Sequence, residues 1–169
     1  MKTFCAILFS FSFLFGLEFS SIEADFIQNL VSDEGSDAIT YKGKLIATSD
    51  SKAYWRYDSP IKKEIFVNNN KVIVYEPDLE QAIISERLNL DFLKIINTTK
   101  ESKDGLISEI NGQIFKIFLK DNKPDKITYT DELDNSVEIK LENVVLNKKI
   151  DYEKFKFNIP NNTDIIFDK

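Results

Sequence analysis

The chain has 28 carboxylates, one cysteine and no histidine, and that inventory bounds its covalent chemistry. Without histidine there is no Ser-His-Asp or Cys-His nucleophile and no His-containing zinc site. Paired carboxylates are the remaining acid/base option, and they need a defined separation across the bond to be cleaved. Glu138 and Glu142 lie on the polar side of an alternating segment, where acidic side chains are ordinarily solvated. Asp131-Glu132-Leu133-Asp134-Asn135 is also acidic, but it lacks the ligand periodicity of a calcium loop and reads as a hairpin turn. No GxGxxG, GxxxxGK or EF-hand pattern is present. No catalytic residue, metal ligand or cofactor is assigned, and the chain does not read as an enzyme.

What the chain has in excess is apolar and aromatic surface. Hydrophobic residues make up 43% of it, with 14 Phe, six Tyr and one Trp. Five of the phenylalanines (Phe4, Phe9, Phe11, Phe13 and Phe15) fall in what reads as a secretory leader. Met1-Lys2-Thr3 is a short positive n-region, Cys5 to Phe15 is an apolar h-region too short for a membrane span, and Gly16 offers a small residue for cleavage. Residues 1–16 are therefore expected to be removed, leaving 17–169 as one domain of ordinary size.

Cleavage would remove Cys5 and leave no thiol for a disulfide or a metal. Cys5 also lies too early to be the lipidated residue that follows a lipoprotein signal. Loss of Lys2 takes the formal charge from −6 to −7, with 21 basic against 28 acidic residues. The cations are scattered and nearly all Lys, so nucleic acid is not an expected partner.

Ser20 followed by Glu23, with Ile22, Phe26 and Leu30 in step, predicts a short amphipathic helix over 21–31. From Thr40 onward the pattern turns to strands. Tyr41, Gly43, Leu45 and Ala47 alternate with neighbours of the other face, and further runs follow at Ala53–Asp58, Ile65–Val67, Val72–Tyr75 and Gln81–Glu86. The Asn68-Asn69-Asn70 and Asn111-Gly112 sequences mark hairpins, because Asn and Gly tolerate positive φ. Arg87–Thr99 carries helical spacing at Leu88, Phe92, Ile95 and Ile96, starting near Asn89 or Asp91. Leu106–Ile110, Ile114–Leu119 and Ile127–Thr130 are strands, and Val137, Ile139 and Leu141 alternate with charged residues. Phe155, Phe157 and Ile159 alternate before Pro160 and predict a last strand. The fold class expected is mainly β with two or three helices, built on one strongly curved antiparallel sheet; barrel and sandwich are both open at this point.

The segment from Tyr54 to Ile84 is the most specific part of the chain. Trp55, Pro60, an Asn-rich hairpin, Tyr75, Pro77, Glu80 and Gln81 follow in order, with Phe26 and Gln28 before them and Phe155-x-Phe157-x-x-Pro160 after. This order resembles the LolA family, periplasmic carriers of outer-membrane lipoproteins. The resemblance implies an incomplete β-barrel whose concave face is crossed by a helical lid. It implies a periplasmic chaperone that holds lipoprotein acyl chains in a hydrophobic cavity, loaded by an inner-membrane ABC exporter and unloaded at an outer-membrane acceptor. A monomer is expected.

On that likeness, the acyl-binding residues would be Leu45, Trp55, Ile65, Val67, Val74 and Tyr75 from strands. Phe26 and Leu30 would come from the first helix, and Leu90, Phe92, Leu93 and Ile96 from the second. The family's Arg-Pro before the Trp, thought to hold the lid closed, is replaced here by Ala47-Thr48-Ser49-Asp50, which leaves Arg56 as a substitute latch. The alternatives are the related outer-membrane acceptor, which Cys5 argues against, a general periplasmic lipid binder, and a non-catalytic envelope interaction module with a filled core.

Overall fold

Strand geometry governs almost the whole chain in the computed structural model, which describes residues 17–32, 38–86, 91–103 and 105–168. The strands are β1 (Ser21–Val31), β2 (Ile39–Thr48), β3 (Lys52–Ser59), β4 (Lys63–Asn68), β5 (Lys71–Glu76) and β6 (Gln81–Ser85). The helix α1 (Phe92–Asn97) follows. It leads to β7 (Lys100–Ser102), β8 (Gly105–Ile110), β9 (Gln113–Lys120), β10 (Lys123–Thr130), β11 (Ser136–Leu146) and β12 (Asp164–Asp168). All twelve join one sheet in the order β12-β6-β5-β4-β3-β2-β1-β11-β10-β9-β8-β7. Every pairing is antiparallel except β12 with β6. The sheet is open, with β7 and β12 as its two edges.

The predicted helix over 21–31 is instead β1, a central strand paired to β2 on one side and β11 on the other. The reason is arithmetic. Ile22, Phe26 and Leu30 are four apart, and four residues are about one helical turn but also two strand repeats. Ile22 and Phe26 are buried with Ala24 between them, so the period is two. Phe26 and Leu30 therefore reach the interior from the sheet rather than from a lid. Among the described residues α1 is the only α-helix, joined by short 3-10 turns at Pro77–Leu79 and Tyr152–Phe155.

The strand expected through Phe155, Phe157 and Ile159 is likewise corrected. Asp151 caps the 3-10 turn by accepting from the Glu153 amide at 3.1 Å, and the chain then runs without regular structure to β12. Phe155 packs with Ile46 and Ile150, while Phe157 lies against Phe66 and Tyr75 with ring centroids 5.3 and 5.2 Å away. Those contacts are on the face opposite the main core, so this segment covers the back of the sheet. The alternation of Phe155 and Phe157 reflected two separate landings rather than one strand.

The hairpin expectations hold. Asn68 pairs Lys71 across a two-residue turn in which Asn69 has φ 54°. Ile110 pairs Gln113 around Asn111 and Gly112, at φ 52° and 81°. Val137, Ile139 and Leu141 all point into the core from β11. The expected leader at 1–16 and the start of the helix expected over Arg87–Thr99, with Leu90, lie outside the described residues.

Candidate functional site

Paired residues of adjacent strands share a face, so the register decides what can meet. Ala24, Leu45, Trp55 and Ile65 pair in succession across β1 to β4 on the core side, and Phe26, two residues on from Ala24, lies between Gly43 of β2 and Leu141 of β11. Phe26 sits at the centre. Its ring meets Trp55 and Tyr57 edge-on, with centroids 5.1 and 5.0 Å away. Gly43 makes room for it: a Cβ there would fall 2.9 Å from the Phe26 ring and 1.8 Å from the Arg56 carbonyl oxygen. The absence of a side chain lets an aromatic ring close over the strand.

The short helix α1 lies against this surface. Phe92 meets Trp55 edge to face, while Leu93 and Ile96 are fully buried in the core. Both ends of the helix are tied to the rest of the fold. At the start, the Asp91 carboxylate accepts from the Lys94 amide at 2.9 Å and from the Ser51 hydroxyl at 2.6 Å. At the end, the Asn97 side chain donates to the Phe19 carbonyl at 2.8 Å and accepts from its amide at 2.9 Å. Thr98 and Ser108 share a hydroxyl contact of 2.9 Å. A six-residue helix is marginal on its own. Here packing and these bonds hold it.

Beside α1 opens a cavity of about 730 Å³. Trp55, Ile65, Phe92 and Ile95 wall one side, and Ile110, Phe115, Ile127 and Ile139 the other. Its polar groups fall into two sets: Gln28, Tyr57 and Tyr129 within, and Asn111, Gln113, Asp131 and Glu132 at one end. Tyr57 donates to the Gln28 side-chain oxygen at 3.0 Å. Burial, reinforced by Tyr129 and Tyr41, pushes the Tyr57 phenol far above its ordinary value, so it stays protonated and can donate. Tyr129 is raised in the same way, by burial and then by Asp131.

Asp131 closes the turn at the cavity's end. Its carboxylate accepts from the Leu133 and Asn135 amides and from the Asn135 side chain, all at 2.9 Å. Partial burial opposes ionisation there, but those hydrogen bonds outweigh it and hold the Asp131 pKa below its usual value. Two other recesses, of about 450 and 540 Å³, are walled largely by hydroxyl, amide and charged groups. Among the described residues no group of acidic side chains is arranged to hold a metal.

Of the residues singled out from sequence, Trp55, Ile65 and Phe92 line the cavity. Phe26, Leu45, Val67, Leu93 and Ile96 are buried in the packed core beside it, with Leu30 and Val74 partly buried against that core. Tyr75 lies on the opposite face with Phe157, because neighbours in a strand alternate and Val74 takes the inner side. Arg56 also faces outward and is bonded to Asp58 at 2.9 Å, so it is no latch for α1. The Ser51–Asp91 bond instead joins the start of α1 to the turn between β2 and β3. Sequence reasoning missed Ile95 and the whole far wall; the alternation of Phe115, Ile117 and Leu119 was its available signal.

Comparison with known proteins agrees with this architecture. The family model described as "Outer membrane lipoprotein carrier protein LolA" matches residues 18–91. An outer-membrane lipoprotein carrier protein of Helicobacter hepaticus is 38% identical over 157 residues, covering 91% of this chain and 87% of its own. The chain belongs to the LolA family of outer-membrane lipoprotein carrier proteins. The LolA-family carrier of Campylobacter jejuni is 36% identical over 169 residues, covering 98% of each chain. A crystal structure of a conserved protein from Thermus thermophilus superposes with a TM-score of 0.52 at 12% identity, covering 88% of this chain and 91% of that one. That likeness concerns the fold alone. LolA membership makes this a non-catalytic outer-membrane lipoprotein carrier protein.

Proposed function

We propose that the cavity beside α1 receives the acyl chains of lipoproteins and that the chain carries them through the periplasm from the inner to the outer membrane. Each methylene exposed to water costs about 0.8 kcal/mol, so a multiply acylated protein faces a barrier of order tens of kcal/mol if it crosses unaided. A carrier lowers that barrier by offering carbon instead of water. The observation that carries the reading is the cavity itself: about 730 Å³, walled by Trp55, Ile65, Phe92, Ile95, Phe115 and Ile127. Its size falls in the range of known ligand sites.

Two features support the finer picture of an incomplete barrel under a movable cover. Ile65 on β4 and Phe115 on β9 border the same cavity although their strands are six positions apart in an open sheet, which calls for the sheet to bend around it. The cover would be α1, whose Phe92 and Ile95 border the cavity and whose start is joined to the sheet by the Ser51–Asp91 side-chain bond. In this reading residues 1–16 are the cleaved leader, 17–169 is a monomeric carrier domain, an inner-membrane ABC exporter loads it, and an outer-membrane acceptor unloads it. The acyl-contacting set becomes Trp55, Ile65 and Phe92 with Ile95 and the β8–β11 wall.

Ile65→Glu and Phe115→Glu place a charge on the cavity wall at half-buried positions and provide the test. Both variants should fold by circular dichroism and fail to retain a radiolabelled lipoprotein on pull-down. Full retention by either folded variant contradicts the site. Leu93→Glu is unsuitable, since Leu93 is fully buried and a charge there attacks the core itself.

A further inference from the structure

The cavity joins an apolar wall to a set of polar groups, and one of these, the Gln28 amide, stands within it rather than at its polar end. Gln28 is in the central strand β1, two residues from Phe26 and on the same face, opposite Tyr41 of β2 and Ile139 of β11. The Tyr57 hydroxyl donates to its oxygen at 3.0 Å. With the oxygen so engaged, the Nε2 group keeps its two N–H donors for a partner in the cavity that Gln28 lines. Among the described residues the Gln28 side chain makes no other hydrogen bond. Gln28 is half-buried and its amide nitrogen is not shut off from solvent, so these donors can pass from water to an acceptor on a ligand.

A hydrocarbon chain has nothing for these donors. The carbonyl by which a fatty-acyl chain is joined to its head does. We infer that Gln28 reads that carbonyl, its Nε2 donating to the C=O of an acyl ester or amide while Tyr57 holds the amide in the donating orientation. The contact fixes the ligand's direction. The alkyl part runs toward Trp55, Phe92 and Ile95, and the head emerges toward Asn111, Asp131 and Glu132, where the polar groups of the cavity gather. The inference rests on the acyl-chain reading of the cavity and deepens it by adding a specificity group.

Two ligands that differ by one carbonyl give the test: 1-monomyristoylglycerol and its ether counterpart, 1-O-tetradecylglycerol. Binding to the mature protein is followed by the emission of Trp55, the only tryptophan. The wild type should bind the ester about two- to tenfold more tightly than the ether, the worth of one neutral hydrogen bond. Gln28→Met keeps the length of the stem without the donors and should bind the ester no better than the ether. Tyr57→Phe frees the Gln28 oxygen and should reduce the discrimination. Equal binding of both ligands by the wild type, or an ester preference kept by Gln28→Met, overturns the inference and leaves the acyl cavity standing. Binding of neither ligand overturns both. Should Gln28→Met fail to fold, the wild-type ratio and Tyr57→Phe decide.

Discussion

Trp55 and Phe92 meet edge to face, with ring centroids 5.0 Å apart and planes at 88°. The contact joins the sheet to the helix that lies over it, and it places the only tryptophan at the seam between them. Movement of α1 therefore has an optical reporter. In Phe92→Ala, Trp55 should emit at longer wavelength and be quenched more readily by acrylamide. The variant should also lose about 3 kcal/mol in a urea titration, as aromatic truncations in packed sites do. An unchanged emission spectrum would mean that α1 does not shield Trp55.

Gly43 should tolerate no side chain. A Cβ would meet the Arg56 carbonyl oxygen at 1.8 Å, so backbone, rather than a flexible side chain, must yield. Gly43→Ala is expected to destabilise the fold by about 3 kcal/mol, at the upper end for overpacking, and to displace the Phe26 ring. Equilibrium denaturation measures the first effect and the Trp55 spectrum the second. A near-neutral change in stability would contradict the packing described.

The bond between Ser51 and Asp91 should govern how readily the start of α1 lifts. The end of the helix keeps the two Asn97 bonds to Phe19 and the Thr98–Ser108 contact. Ser51→Ala should thus cost about 1 kcal/mol and speed hydrogen exchange of amides in 92–97. Asn97→Ala removes both bonds to Phe19 and should speed it further. Exchange at the wild-type rate in Ser51→Ala would show that the bond does not restrain the helix.

The turn closed by Asp131 should loosen on acidification. Its folded pKa lies below the unfolded value of about 4, so its stabilising contribution is complete above that value and is lost as pH falls through the folded pKa. NMR of the Leu133 and Asn135 amides across pH 2–6 follows the loss directly. Asp131→Asn should remove this component of the pH dependence, and persistence of the same titration in that variant would exclude Asp131 as its source.

Much of the sheet was legible because one buried face enforces alternation, as at Val137, Ile139 and Leu141. The hairpins were legible because Asn69, Asn111 and Gly112 occupy positive φ, which few residue types accept. β1 was not, since Ile22, Phe26 and Leu30 satisfy a helix and a strand alike, and Ala24 and Gln28 between them favour neither. The strand β12 was missed as well: Ile165-Ile166-Phe167 is a short run, and its partner β6 lies some eighty residues away with no local turn to signal the pairing. The site was half legible for a related reason. The order of motifs that carries the resemblance lies mostly before residue 91, whereas the far wall is supplied by β8 to β11, brought opposite only by the whole sheet. Tyr75 was misassigned for the simplest cause, as adjacent residues of one strand cannot line the same cavity.

Release of lipoprotein from energised inner-membrane vesicles tests the central claim most directly. With the mature chain added, a newly made lipoprotein should leave the membrane in a soluble complex with it, and Ile65→Glu should abolish that release. A lipoprotein that stays in the membrane with and without the wild-type chain would contradict the account.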